Sequence, residues 1–163
     1  MTDTPQPTVL LAEDDGALRD LLQLALTQAG WQVTCAQDGV EALELARRTP
    51  PHLVLLDILL PKLNGLDVLR ELKKQSGFEL RPIIVMSELA FRETVEQAIG
   101  AGAQDFVVKP FDLQVLLDKV QKAFARPMYR TVRQPVPTGR MPHVRPFRPA
   151  VFKKTVENFS TLG

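Results

Sequence analysis

Cysteine is almost absent. Cys35 stands alone in 163 residues, so no internal disulfide can form. With only two histidines and no Cys/His cluster, a structural zinc site is excluded as well. A lone cysteine fits a reducing compartment, and Cys35, in a strand-like stretch, is expected to be a small core residue. Long apolar runs are missing too: none approaches the ~20 residues that a membrane helix needs. The opening MTDTPQPT lacks the basic and apolar regions of a secretory leader. The expectation is a cytoplasmic chain with no membrane partner.

What is present is ordinary globular material, 45% hydrophobic and 24% charged. The net charge of +1 conceals a division. Residues 1–126 hold 13 Lys/Arg against 18 Asp/Glu, a net of −5, whereas residues 127–163 hold seven Lys/Arg against one Glu, a net of +6. Six of the 13 prolines also fall in that last stretch. Such a split marks two regions: a domain over 7–126 and a basic, Pro-rich tail over 127–163.

Within the first region, short apolar runs alternate with segments of helical period. Strands are predicted at Val9–Ala12, Trp31–Ala36, Leu53–Leu56, Pro82–Met86 and Asp105–Val108. Helices are predicted at Ala17–Ala29, Val40–Arg48, Gly65–Lys74, Phe91–Gly102 and Leu113–Ala125. Asp15, Asp38 and Asp112 suit N-caps, and Glu41 completes a capping box with Asp38. Leu18, Leu21, Leu22, Ala25 and Leu26 fall at helical spacing in the first helix, and Phe91, Val95, Ala98 and Ile99 lie at roughly one face of the fourth. Five successive β-then-α units predict an α/β fold, a parallel sheet covered by helices on both sides. The strands read as apolar throughout, as doubly buried strands do.

Sheets of this kind place ligands beyond the carboxyl ends of their strands. The residues there are Glu13 and Asp14 after strand one, Asp57 after strand three, Ser87 after strand four and Lys109 after strand five. Three carboxylates about 5 Å apart repel by roughly 3 kcal/mol per pair at an effective dielectric near 20. One lysine does not offset that. A hard divalent cation does, which points to Mg²⁺ or Mn²⁺. One carboxylate is then free to act as a nucleophile toward phosphorus, and Asp57, ending the most apolar strand (LVLLD), is the central candidate. Lys109 and the Ser87 hydroxyl are placed to meet phosphoryl oxygens. A lone strand-end aspartate is ordinarily a cap, and a lone lysine a surface charge. The whole set is what carries the reading.

The runs LLAEDDGALR, LVLLDILLPKLNG, IIVMS and DFVVKPF resemble the receiver domain of bacterial two-component response regulators, over about residues 7–126. The resemblance implies a flavodoxin-like, doubly wound five-stranded sheet of order 2-1-3-4-5. It implies Glu13, Asp14, Asp57 and the backbone carbonyl of Leu59 as the metal-binding set, with Asp57 as phosphoacceptor. Ser87 and Lys109 would bind phosphoryl oxygens, and Phe106 would stand at the aromatic switch position beside Ser87. The donor would be a histidine kinase or histidine phosphotransfer protein. A downstream protein, or a second copy in a homodimer, would read the face made by helix four, strand five and helix five. Lys109-Pro110 matches a step that is typically cis in the family.

Three features depart from common patterns. Glu88 replaces the small residue frequent after Ser87. Leu59 and Leu89 flank the phosphoryl position with apolar side chains, which predicts poor water placement and slow autodephosphorylation. Phe106 lacks a tyrosine hydroxyl. A haloacid-dehalogenase-type phosphatase would need an acid where Leu59 stands, and a flavodoxin would need a Ser/Thr/Gly-rich loop where EDD stands. In the tail, Val151–Phe159 is expected as a short helix and the rest as extended linker. Its alternative roles are direct contact with nucleic acid through its basic residues or docking of a partner. A phosphorelay intermediate is the third reading of the chain.

Overall fold

The computed structural model describes residues 6–125. Each apolar run forms a strand: β1 Thr8–Ala12, β2 Gln32–Ala36, β3 Leu53–Asp57, β4 Ile83–Ser87 and β5 Asp105–Val108. The helices between and after them are α1 Gly16–Gln28, α2 Gly39–Arg48, α3 Gly65–Lys74, α4 Arg92–Gly100 and α5 Leu113–Phe124. All four strand pairings are parallel, in the order β2-β1-β3-β4-β5. This is the flavodoxin-like arrangement that the resemblance implies. Because the chain leaves β1 in one direction for β2 and returns on its other side as β3, the loops after β1 and β3 diverge and leave a crevice.

Alternation along the central strands feeds two cores. Val9, Leu11, Leu53, Leu55, Ile84, Met86 and Val107 pack with Leu22 and Leu26 of α1 and Leu116 and Val120 of α5. Leu10, Val54, Leu56, Ile83, Val85 and Phe106 point the other way and are also buried, on the side of α2, α3 and α4. Each fully buried aliphatic side chain contributes about 1.5–3 kcal/mol. The sheet is thus fixed rigidly enough to hold its carboxyl edge in register.

The expected caps form. Asp15 accepts from the Leu18 N–H at 3.0 Å, Asp38 from the Glu41 N–H at 2.9 Å and Asp112 from the Gln114 N–H at 2.7 Å. Glu41 reaches back to the N–H of Gln37, one residue before the cap. Asn64 caps α3, which the sequence reading did not anticipate. Gly30, at φ 91°, stops α1 in the left-handed conformation that glycine tolerates best.

Five expectations need correction. Trp31 is not in β2: its N–H bonds back to the Leu26 carbonyl and closes the end of α1. The β2 strand is not apolar throughout: Gln32 and Thr34 are exposed and alternate with the partly buried Val33 and Cys35, so one face of this edge strand is open to solvent. Cys35 on that strand is therefore only partly buried. Leu21 faces solvent because α1 buries only the Leu22–Leu26 stripe, and Phe91 sits at the exposed N-cap of α4, before the helix begins. The tail, with its expected helix at 151–159, lies outside the described residues.

Candidate functional site

The β1 strand ends one residue before Glu13, which is fully buried, and Asp14 beside it is exposed. Asp57 is the last residue of β3 and is 3% exposed. Glu13, Asp14 and Asp57 each offer a carboxylate oxygen, and the three oxygens lie within 4.8 Å of one another. Lys109, just past β5, spans the group: its ammonium donates to Asp57 Oδ2 at 2.8 Å and to Glu13 Oε2 at 2.7 Å. The other oxygen of Asp57 accepts from the Leu59 N–H at 3.0 Å, and Glu13 Oε1 accepts from the Asp15 N–H at 3.2 Å. The Lys109-Pro110 peptide is cis, as expected.

Backbone contacts hold this edge closed. The Gly65 N–H donates to the Ile58 carbonyl at 2.8 Å, and a Cβ on Gly65 would meet the Asp57 carbonyl oxygen at 2.0 Å. Only glycine permits α3 to begin so close to the acid. Arg19, one turn into α1, donates to the carbonyls of Glu13 at 2.9 Å and Asp14 at 3.3 Å. The sequence reading missed this residue. The signal was a cation four to six positions beyond an acidic run, at a spacing that brings a helix side chain back over its own N-terminus.

The charges are not balanced. Three carboxylates face one ammonium, a net of −2 when all are ionised. Burial raises the Glu13 pKa above the usual carboxylate value despite the hydrogen bond and charge of Lys109, and the Asp57 charge adds to the rise. Burial acts to lower the Lys109 pKa, but the hydrogen bonds and charges of Asp57 and Glu13 outweigh it and hold the ammonium above its ordinary value. The ion pairs therefore favour the lysine's charge without offsetting the cost of burying Glu13. An all-oxygen set with surplus negative charge fits a hard divalent cation.

Ser87 ends β4 fully buried, and its hydroxyl accepts from the Leu89 N–H at 3.1 Å. Its carbonyl takes the Lys109 N–H at 2.9 Å, which ties the ends of β4 and β5 together. The hydroxyl is not bonded to the carboxylates. Phe106 lies within β5, 4% exposed and facing away from the α1–α5 side. Leu59 is half exposed at the rim. A cavity of about 260 Å³ opens over the cluster, lined by Glu13, Asp14, Asp57, Leu59, Glu88 and Lys109 among others.

Residues 9–121 match the family model described as the response regulator receiver domain. The chain belongs to the response regulator receiver family. It is similar to the transcriptional regulatory protein CseB of Streptomyces coelicolor, 38% identical over 121 residues that cover 74% of this chain and 50% of that protein. The DNA-binding response regulator MtrA of Mycobacterium bovis is 36% identical over 126 residues, 76% of this chain and 53% of that protein. The chain spans about half the length of the curated relatives it matches. Among solved structures, the receiver domain of NtrX from Brucella abortus superimposes with a TM-score of 0.67 at 34% identity, covering 72% of this chain and 98% of that one. The chemotaxis protein CheY4 of Vibrio cholerae reaches 0.70 at 27% identity, with 73% and 99% covered. Receiver domains act as signalling switches in two-component systems, and the receiver fold here brings Glu13, Asp14, Asp57 and Lys109 to one place. No helix among the described residues is long and apolar enough to cross a membrane.

Proposed function

We propose that this receiver is switched by phosphorylation of Asp57, with a phosphohistidine on a kinase or phosphotransfer protein as donor. The observation that carries the reading is the buried strand-end carboxylate of Asp57, within 4.8 Å of two further acids and bonded to Lys109, the one lysine among the described residues lining the cavity. An Asp57 oxygen forms the new O–P bond as the donor's P–N bond breaks. The electron pair stays on the imidazole nitrogen, which takes up a proton. Glu13, Asp14 and Asp57, with the Leu59 carbonyl, would hold Mg²⁺ or Mn²⁺, whose chemistry when bound is to draw charge from the phosphoryl oxygens. Lys109 would exchange a carboxylate contact for a phosphoryl oxygen.

Ser87 supplies the link to the surface. Its hydroxyl is committed only to the Leu89 N–H, so turning toward a phosphoryl oxygen would release that turn and let the segment after β4 shift. Phe106, on the neighbouring strand, would repack, and the α4–β5–α5 face would change for a downstream protein or a second copy. The chain would work in the cytoplasm, as a receiver over 7–126 followed by the 127–163 tail.

The test is incubation with acetyl phosphate and Mg²⁺ followed by intact mass. The expected result is an adduct of about 80 Da, one phosphoryl group, absent in Asp57→Asn. An adduct that survives that substitution places the chemistry elsewhere.

The tail favours a second reading. Seven Lys/Arg against one Glu would bind anionic nucleic acid, and MtrA is described as DNA-binding. A gel shift that weakens steeply between low and high salt is the expected signature.

A further inference from the structure

Two cavities lie side by side at the carboxyl edge, and Glu88 stands in the wall of both. One is the 260 Å³ opening over the acids. The other, about 450 Å³, is largely apolar and runs between Leu18 and Leu21 of α1 and Phe111 and Leu113 beyond β5. Glu88 is the first residue past β4, in the bend where the chain leaves the sheet, and it is exposed. Its carboxylate takes no hydrogen bond or ion pair among the described residues. Nor is it among the three acids that could share a metal ion. It is therefore a rim charge, not a ligand.

The charges lining the small cavity are Glu13, Asp14, Asp15, Asp57 and Glu88 against Lys109. A bound divalent ion would still leave a net of −2. Any free phosphoryl donor is itself an anion and must cross this rim. We infer that Glu88 is a donor-selecting residue, a charge at the mouth of the site that slows small anionic phosphoryl donors. A protein donor escapes the penalty, because its own side chains at the contact set the charge that Glu88 meets. A solvated glutamate of no consequence is the competing account. The inference rests on the phosphoacceptor reading above.

The measurement is the rate of Asp57 labelling by acetyl phosphate in the full chain, with Mg²⁺ saturating each variant so that altered metal affinity does not enter. Wild type is compared with Glu88→Gln, Glu88→Lys and Glu88→Ala at about 50 mM and about 500 mM ionic strength, where the screening length falls from ~14 Å to ~4 Å. Removing one like charge within about a screening length should raise the second-order rate constant about two-fold at low salt, and reversing it about four-fold. Both gains should disappear at high salt, and the rate at saturating donor should stay unchanged. Glu88→Ala should match Glu88→Gln. No gain in the Gln and Lys variants overturns the inference, and so does a gain that persists at high salt. A gain confined to Glu88→Ala overturns it as well, since size and not charge would then be the cause. If wild type shows no adduct dependent on Asp57, the phosphoacceptor reading fails and this inference falls with it. An Asp57 adduct with unchanged Gln and Lys rates sinks this inference alone.

Discussion

At the amino edge of the sheet, Trp31 and Phe124 meet edge to face at 5.0 Å, and the His52 ring approaches Phe124 at 6.0 Å. Thr8 and His52 join β1 to the start of β3 there through hydrogen bonds of 2.8–3.2 Å. At the carboxyl edge, 5% or less of Glu13, Asp57 and Ser87 is exposed, yet the acids outnumber the cations. The amino edge also holds cations, and these have partners: Arg81 donates to the Pro51 carbonyl, Lys73 to the Arg81 carbonyl at 2.8 Å, and Lys119 pairs with Asp105 at 2.6 Å. The same five strands thus carry an edge where these charges are partnered and an edge left with surplus negative charge. The electrostatic cost is gathered at the edge where Glu13, Asp14 and Asp57 meet.

Three experiments would break or sharpen this contrast. The largest effect is expected at the amino edge. Trp31→Ala should lower unfolding free energy by about 3–5 kcal/mol, measured by urea titration, while the folded fraction still labels at Asp57 at the wild-type rate. A loss of labelling beyond the unfolded fraction would show that the two edges are not separable.

A smaller effect is expected at the charged edge. Mg²⁺ at ten times its dissociation constant should add about 1.4 kcal/mol to stability, and Glu13→Gln should reduce that gain. The pH dependence of the metal-free protein should match. Because burial lifts the Glu13 pKa above its unfolded value of 4.5, the native state binds that proton more tightly. Stability should then rise as pH falls from neutral toward 4.5, and Glu13→Gln should flatten the slope. Lys109, raised above 10.5, contributes stability that is present below that pH and lost as pH climbs through its folded value. Thermal melts in chelator across pH measure both slopes, and a slope of the opposite sign would overturn the corresponding assignment.

The smallest effect concerns the rim. Leu59→Asn should shorten the lifetime of the Asp57 phosphoryl group a few-fold, about 0.7 kcal/mol of barrier, by giving water a polar partner. A longer lifetime in the variant would count against apolar shielding at Leu59.

The five strands and five helices were legible because apolar runs and caps are local signals. LVLLD had to be buried on both sides, and β3 is. The acids, Lys109 and Ser87 were legible once parallel strands were assumed, since strand ends then converge without further information. What was hidden depends on packing between elements. Nothing local tells Leu21 from Leu22, and only the position of α1 on the sheet decides which is covered. The outward turn of Phe91 depends on where α4 starts. Arg19's reach to the Glu13 carbonyl and Gly65's closeness to Asp57 are consequences of loop closure, which no periodicity reports.

The Asp57 carboxylate has both its oxygens engaged at rest, one by the Leu59 amide and one by Lys109. Two of the roughly four lone-pair sites of such a carboxylate are taken by hydrogen bonds, which lowers its nucleophilicity at rest. The resting protein should therefore resist indiscriminate esterification by reactive electrophiles, and its reactivity becomes conditional on whatever draws the lysine aside.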